Sequence, residues 1–355
     1  MKIRSVSLNG FRNHKDTTVT LGDGVNIFVG DNAQGKTNLL ESIYLACVGR
    51  GWRTHRDKEM INFDKNTSRI KTIATKSYGD VEVEIKLSKT EKKSIKINGI
   101  PVQKMGELMG QINCVFFSPD ELRLVKEAPR DRRRFMDIDL SQMDKSYFYA
   151  LLRYNKILSQ RNALLKSRDE DIQKGLEIWD VELAKYGSII IQKRIEFLNK
   201  LRPEVERVHS FLTDSKEKIE LKYEGILDQT TLLDELIKNR DKDMRLKTTT
   251  KGPHRDDIYI SIDGKDVRSF GSQGQQRTVA LSIKLAELKI FEQVTGEIPV
   301  LLLDDVLSEL DHNRRTRLIK AISGCQSIIT TTDLDDISED IYSINTFYIK
   351  YGRIN

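Results

Sequence analysis

Cysteine is scarce: the 355 residues contain three, Cys47, Cys114 and Cys325, far apart, odd in number and each set in an apolar stretch. Neither a disulfide framework nor a zinc site is expected from them. No uninterrupted apolar run is long enough to span a bilayer, and the opening Met1-Lys2-Ile3-Arg4-Ser5-Val6-Ser7 has no apolar core of the kind a secretion signal needs. The expectation is a soluble, cytoplasmic protein with no membrane partner. Internal repeats and low-complexity tracts are absent as well. A 38% hydrophobic content at this length is enough for more than one core, and two domains are the natural division. The net charge of +6 is a modest basic excess over 59 Lys and Arg against 53 Asp and Glu. It permits an anionic partner without requiring one.

What the chain does carry is a glycine-rich loop. Gly30-Asp31-Asn32-Ala33-Gln34-Gly35-Lys36-Thr37 fits G-x-x-x-x-G-K-[ST] and follows the apolar Val25, Ile27, Phe28 and Val29. The apolar run supplies a buried strand, and the glycines let backbone N–H groups face anionic oxygens. Lys36 then reaches the β- and γ-phosphates, and Thr37 puts its hydroxyl on Mg²⁺. Leu39, Leu40, Ile43, Ala46 and Cys47 repeat at helical spacing. A triphosphate would therefore sit at a helix N-terminus, where unsatisfied N–H groups and the macrodipole favour negative charge. ATP and Mg²⁺ are the cofactors this pattern predicts, against the plainer alternative of an ordinary glycine turn.

Strand-like alternation precedes the loop, with Val6 and Leu8, then Val19 and Leu21, around the polar bend Arg12-Asn13-His14-Lys15-Asp16. Strands over residues 70–75, 81–87 and 94–102 follow the first helix, the last hinged on Asn98-Gly99. They predict an antiparallel lobe. Residues 112–117 are a further buried strand, stopped by Ser118-Pro119.

The period then changes from two to about 3.6. Tyr147, Leu151, Tyr154 and Leu158 make one stripe, while Leu176, Leu183, Ile190 and Phe197 recur every seven residues with Trp179 and Tyr186 between them. Lys193 and Lys200 spoil the second stripe, and Pro203 is expected to kink or end the helix. A short antiparallel arm or a compact helical domain fits this better than a long coiled coil. Ile219, Leu221 and Tyr223 alternate, residues 232–244 look helical, and Thr248-Thr249-Thr250-Lys251-Gly252-Pro253 reads as a linker.

Beyond it the α/β texture returns. Ile258, Ile260 and Ile262 alternate up to Asp263-Gly264; a helix over 272–292, a strand over 299–305, a helix over 314–322 and strands over 327–331 and 346–350 follow. With the phosphate loop near one end and the remaining strands near the other, the helical middle must be an insertion in one ATPase core. The expected division is residues 1–118 for the N-terminal part of the ATPase head with its β lobe, 119–250 for a mainly helical arm, and 251–355 for the C-terminal part of the head.

Pro299-Val300-Leu301-Leu302-Leu303-Asp304-Asp305 is an apolar strand ending in two acids, the form of a Walker B strand. Asp304 is placed to hold Mg²⁺ through water, and Asp305 to orient or deprotonate the attacking water. Ser272-Gln273-Gly274-Gln275-Gln276-Arg277 opens the preceding helix, and is either a second anion site or a plain N-cap. Ser308-Glu309-Leu310-Asp311 follows the two acids.

Taken in that order, these motifs resemble the head of an ATP-binding-cassette (ABC) ATPase of the SMC-like class, and within it the RecF family. The resemblance rests on Leu8-Asn9-Gly10-Phe11-Arg12-Asn13, Ala128-Pro129-Arg130-Asp131-Arg132-Arg133-Arg134-Phe135-Met136-Asp137, Gly252-Pro253-His254-Arg255-Asp256-Asp257, Phe270 through Arg277, and Leu303 through Asp311. It implies an α/β, ABC-type P-loop ATPase head with an antiparallel β lobe and an inserted, mainly helical arm domain. It further implies an ATP-dependent homodimer that binds DNA, duplex and single-/double-strand junctions alike, and that helps RecR and RecO bring RecA onto gapped DNA. Arg12 and Asn13 would join the nucleotide site, and Ser272, Gly274 and Gln275 of one copy would contact the γ-phosphate that Lys36 and Thr37 hold in the other.

For DNA, the candidates are Arg50, Arg53 and Arg56 past the first helix and Lys92, Lys93 and Lys96 of the hairpin lobe, with Arg130, Arg132, Arg133 and Arg134 as a second cluster. Such contacts supply affinity through phosphates without reading sequence. Three departures from other cassettes point to slow turnover with binding as the main event, in what would be a weak, DNA-stimulated ATPase. Thr331-Thr332-Asp333 stand where transport-type cassettes carry a phosphate-sensing histidine, Asp305 replaces a longer glutamate, and no coupling glutamine is found near Phe117-Ser118. The competing readings are a motor subunit of another ABC class, such as a transporter cassette or nuclease-associated ATPase, and a nucleotide kinase. The kinase would leave residues 272–276 and Asp311 without a role.

Overall fold

Period-two burial builds the first sheet. In β1 (Lys2–Phe11) Ile3, Val6 and Leu8 point inward while Arg4 and Asn9 are exposed, with a bulge between Ile3 and Ser5. The computed structural model describes residues 1–167, 172–333 and 344–354. These fall into two compact units, Met1–Leu122 with Arg207–Lys216 and Thr278–Asn355, and Arg123–Glu206 with Glu217–Arg277.

In the first unit, β1 is followed by β2 (His14–Thr20), β3 (Val25–Val29), α1 (Lys36–Val48), β4 (Thr67–Lys76), β5 (Gly79–Ser88), β6 (Ser94–Ile97), β7 (Ile100–Pro101) and β8 (Cys114–Phe117). Strands β2-β1-β4-β5-β6-β7 pair in that order as an antiparallel sheet, the lobe expected from sequence, and β6 and β7 turn on Asn98 and Gly99 in left-handed backbone. α1 contacts β1, β4 and β5 on one side and β8 and the strands Val300–Asp304 and Ser327–Thr331 on the other. Its residues are accordingly buried nearly all round rather than along one stripe.

The second unit begins with α2 (Arg123–Lys126), α3 (Pro129–Met143), α4 (Lys145–Leu164) and, as far as Glu206, α5 (Ile172–Thr213). It continues through β9 (Ile219–Glu224), α6 (Gln229–Lys238), α7 (Arg240–Leu246), β10 (Asp257–Ile262), β11 (Lys265–Asp266), α8 (Val267–Phe270) and the first turn of α9 (Gln273–Thr295). An ion pair and a hydrogen bond join α4 to α5 at opposite ends: Arg161 meets Asp180 at 2.7 Å, and Arg194 Nε donates to the Tyr147 hydroxyl at 3.2 Å. The two helices therefore run antiparallel.

Four expectations need correcting here. The buried stripe of α4 is Tyr147, Ala150, Tyr154, Ile157 and Arg161, with Leu151 and Leu158 only half-buried, because the helix is turned to bury the Arg161 guanidinium. Pro203 neither ends nor breaks α5, which continues to Thr213 with Leu201, Val205 and Val208 buried around it; one lost N–H is outweighed by that packing. The stretch 248–253 is no linker: Thr249 is fully buried, its hydroxyl meeting Asn162 and Arg161 at 2.8 and 2.9 Å. Residues 251–277, assigned from sequence to the C-terminal part of the head, belong to the second unit, because β10 pairs with β9 and β11 there.

The chain returns to the first unit with β12 (Val300–Asp304), α10 (His312–Ile322), β13 (Ser327–Thr331), β14 (Ile344–Lys350) and β15 (Arg353–Ile354). The second sheet has the order β15-β14-β3-β13-β12-β8, parallel except at β15. Its inner strands β3, β13 and β12, and β8 at its edge, are buried at every residue, as expected of a parallel sheet covered on both faces. Strands from both ends of the sequence thus make one sheet, and the helical middle is an insertion within it.

Candidate nucleotide-binding site

Residues 30–37 connect the carboxyl end of β3 to the start of α1. Gly35 has φ 118°, and a Cβ there would lie 2.8 Å from Asn13 Nδ2, so conformation and space both require glycine. Neighbouring segments hold the loop. Asn13 Nδ2 donates to Gln34 O at 3.0 Å, Gly352 N donates to the same carbonyl at 2.9 Å, and Tyr351 N donates to Gln34 Oε1 at 2.7 Å. The fully buried His14 sets Nε2 3.0 Å from Gly35 O and Nδ1 3.0 Å from Gly352 O. Burial pushes its pKa below the usual histidine value, with the Gly35 and Gly352 carbonyls acting the other way.

Lys36 is buried, and its ammonium donates to the carbonyls of Gly30 and Asp31, the latter at 2.9 Å. Burial lowers its pKa, opposed by Asp305, Asp304 and Asp31. At the carboxyl end of β12, Asp304 accepts from Thr37 Oγ1 and from Thr330 Oγ1, each at 2.8 Å to Oδ1. Burial raises the Asp304 pKa, and the charge of Asp305 raises it further; Thr330, Thr37 and Arg53 pull it down. Asp305 follows in left-handed backbone with φ 53°, its N–H directed to Thr330 O at 3.2 Å and Thr330 Oγ1 at 3.0 Å. Ser308 Oγ lies 3.0 Å from Asp305 O and 3.3 Å from Oδ1. Asp311 caps α10 by accepting from Arg314 N at 2.9 Å, and the Glu309 side chain is outside the described residues.

All the groups gathered here that could hold a cation are oxygens, Thr37 Oγ1 and the Asp304 carboxylate, which suits a hard divalent ion. Among the described residues no group of three or more His, Cys, Asp or Glu could hold a metal. A cation at this place would therefore be completed by phosphate oxygens and water.

Two of the expected nucleotide contacts, Arg12 and Asn13, also have partners within the protein. Arg12, at φ 51°, directs Nε and Nη2 to Glu41 at 2.9 and 3.2 Å and Nη1 to Glu59 O at 2.8 Å. Asn13 is engaged by Gln34 and by Asn38 Nδ2 at 2.8 Å. Sequence reasoning missed Glu41, fully buried within α1; the available signal was an acid inside an otherwise apolar helix. It also missed Thr330.

The basic candidates separate into two kinds. Arg50, Arg56, Lys92 and Lys96 are exposed. Arg53 is exposed too; it lies 3.3 Å from Asn38 in the first turn of α1, and its charge helps to lower the Asp304 pKa. Lys93 is spent on the fold, donating to Gly49 O at 2.8 Å beyond the end of α1 and pairing with Asp57 at 3.2 Å. In the second unit, Arg132 is buried in a two-pronged pair with Asp257 at 2.6 and 2.9 Å, and Arg133 donates to Asp256 O at 2.7 Å. Those two arginines of the second cluster are structural, because two motifs more than a hundred residues apart interlock through them.

Also in the second unit, Ser272 and Gln275 form a reciprocal cap at the start of α9. Gln275 N donates to Ser272 Oγ at 3.2 Å, Ser272 N donates to Gln275 Oε1 at 2.9 Å, and Gln275 Nε2 donates to Glu217 at 3.0 Å. Gly274 lies between them, half-buried.

A phosphate loop locked to a Walker B acid in a largely parallel sheet, with an antiparallel lobe and a helical insertion, defines an ABC-type ATPase head of the SMC-like class. The family model for the RecF/RecN/SMC N terminal domain matches residues 2–348. The DNA replication and repair protein RecF of Agathobacter rectalis is 43% identical, over 100% of this chain and 99% of that protein. The protein of the same name from Clostridium kluyveri is 45% identical over the full length of both. A solved structure described as the recombination mediator protein RecF-ATP in the RecFOR pathway superposes with a TM-score of 0.90 at 38% identity, covering 100% of this chain and 97% of that one. The chain belongs to the RecF family.

Proposed function

We propose that this chain is an ATP-binding recombination mediator of DNA replication and repair, in which ATP joins two copies into a clamp on DNA that helps RecR and RecO load RecA at single-strand gaps. The observation that carries the reading is the junction of Thr37 and Asp304, 2.8 Å apart beneath a loop shaped for phosphates. The names of the relatives and the description of the matching solved structure supply the pathway. No helix among the described residues is long and apolar enough to cross a membrane, and the cytoplasm, where the chromosome lies, is the proposed location.

Lys36 and the N–H groups at the start of α1 would hold the triphosphate, with Thr37 and, through water, Asp304 holding Mg²⁺. The cation would neutralise charge on the phosphates. Asp305 would orient the attacking water, and its short side chain, held near Ser308, supports slow, DNA-stimulated hydrolysis that resets the clamp. Ser272, Gly274 and Gln275 of the second copy would cap the γ-phosphate by exchanging their mutual bonds for bonds to it. Arg50, Arg56, Lys92 and Lys96 would meet the DNA backbone.

Light scattering with ATP, with ADP and without nucleotide tests the shared site. The native chain dimerises with ATP alone, and Lys36→Ala and Ser272→Arg remain monomers. A variant of either kind that still dimerises with ATP overturns the proposal. A steady-state turnover on the order of 10 per second, the ordinary range of metabolic enzymes, would overturn the assignment of slow hydrolysis.

A further inference from the structure

Ser118 stands one residue beyond the last paired rung of β8, where Phe117 opposes Leu303 of β12. It is 4% exposed, and its hydroxyl has no hydrogen-bond partner. A buried hydroxyl without a partner is costly, and in a native protein it calls for a reason. Other buried oxygens share the condition, but Ser68 and Thr72 lie in β4 of the antiparallel sheet, and Asn113 precedes β8 at its amino end. Ser118 is at the carboxyl end, level with Asp304.

The direction of its side chain follows from the strand. Phe116 stacks on Trp52 with ring centroids 4.0 Å apart and lies 5.5 Å from the ring of Tyr44 in α1, so this face of β8 looks toward α1. Side chains two residues apart share a face, and Ser118 is two residues on. Asp304 looks the same way, since it accepts from Thr37 in the first turn of α1. In the parallel register Ser118 is the lateral neighbour of Asp304, with adjacent strands about 4.8 Å apart.

The geometry points to Ser118 as a further member of the cation site: its hydroxyl holds one of the waters carried by the Mg²⁺ that Thr37 and Asp304 bind with ATP. The assignment rests on the ATP and Mg²⁺ reading above. Magnesium keeps several of its waters, and each needs hydrogen-bond partners from the protein. A hydroxyl can accept from such a water or donate to a phosphate oxygen beside it. The unpaired Oγ then has its partner in the nucleotide-bound form.

Equilibrium dialysis of ATP against the native chain and Ser118→Ala, in EDTA and across a Mg²⁺ titration, tests it. The metal-free variant melts at or above the native temperature, since only an unpartnered hydroxyl is lost. Its ATP binding in EDTA is unchanged, and the Mg²⁺ concentration for half-maximal binding rises about tenfold. An unchanged Mg²⁺ midpoint, or an equal loss of ATP binding in EDTA, overturns the assignment and leaves the ATP reading standing. If Mg²⁺ fails to strengthen ATP binding even in the native chain, the ATP and Mg²⁺ reading falls, and this assignment with it.

Discussion

Thr330 links the two acids of the site: its hydroxyl donates to Asp304 Oδ1 at 2.8 Å and accepts from Asp305 N at 3.0 Å. Asp304 and Thr330 oppose each other in the parallel register of β12 and β13, so the contact is built into the sheet. A single hydroxyl can both donate and accept, which valine, of the same shape, cannot do. Thr330→Val is expected to destabilise the fold by about 1–3 kcal/mol, the cost of stranding buried polar groups, with Thr330→Ser close to native. Urea unfolding of the three proteins reads the difference. Equal midpoints for Val and Thr would mean that Asp304 is held by Thr37 alone.

His254 gives the second unit a pH dependence. Nε2 lies 3.1 Å from Thr249 O and Nδ1 2.6 Å from the Tyr154 hydroxyl, an arrangement that suits the neutral ring, donating at Nε2 and accepting at Nδ1. Burial, with Arg255 and Arg133 nearby, brings its pKa down to about 4 from 6.5, while Thr249 O and Asp243 act the other way. The unfolded chain therefore binds more protons between those values, so stability is full above about pH 6.5 and falls as pH drops toward 4. The loss is about 3 kcal/mol across the window. Unfolding midpoints at pH 7 and pH 5 should separate for the native chain and converge for His254→Asn. A native pH profile as flat as the variant's would refute the buried neutral ring.

Arg132 and Asp257 tie α3 to β10 within the second unit, with the arginine nearly buried and two parallel bonds between the groups. Removing the acid leaves a buried guanidinium uncompensated, so Asp257→Ala is expected to cost about 3–5 kcal/mol in urea unfolding. Arg132→Lys, which keeps the charge but not the fork, should recover only part of the stability. Full recovery by lysine would show that charge alone matters at this pair.

The sequence made the phosphate loop, its strand and helix, the Walker B strand and the Asn98-Gly99 hairpin legible, because each is written in contiguous residues. What escaped notice depends on partners far along the chain. Arg132 and Arg133 looked like a basic patch, since Asp257 and Asp256 lie more than a hundred residues away. Thr249 looked like linker because threonine, glycine and proline surround it, whereas Asn162 and Arg161 bury it. The buried stripe of α4 includes an arginine, Arg161, which hydrophobic periodicity does not register. Glu41, the acid that holds Arg12, is hidden in a helix whose neighbours are apolar.

The basic residues of the lobe allow a graded test of DNA contact. Lys93 caps the end of α1 and pairs with Asp57, whereas Arg56, Lys92 and Lys96 are exposed. Arg56 pairs with Glu59 at 3.5 Å, an exposed pair that contributes little. If these exposed side chains meet phosphates, each of Arg56→Ala, Lys92→Ala and Lys96→Ala weakens duplex binding in ATP and lowers the slope of log affinity against log salt by about 1. Lys93→Ala should instead lower the unfolding midpoint, with the salt slope unchanged. Fluorescence anisotropy of a labelled duplex at several salt concentrations gives the affinity and its slope, and urea unfolding gives the midpoint. Unaltered slopes for the three exposed variants would move the DNA to another face of the molecule, and a reduced slope for Lys93→Ala would show that its bond to Gly49 O opens when DNA arrives.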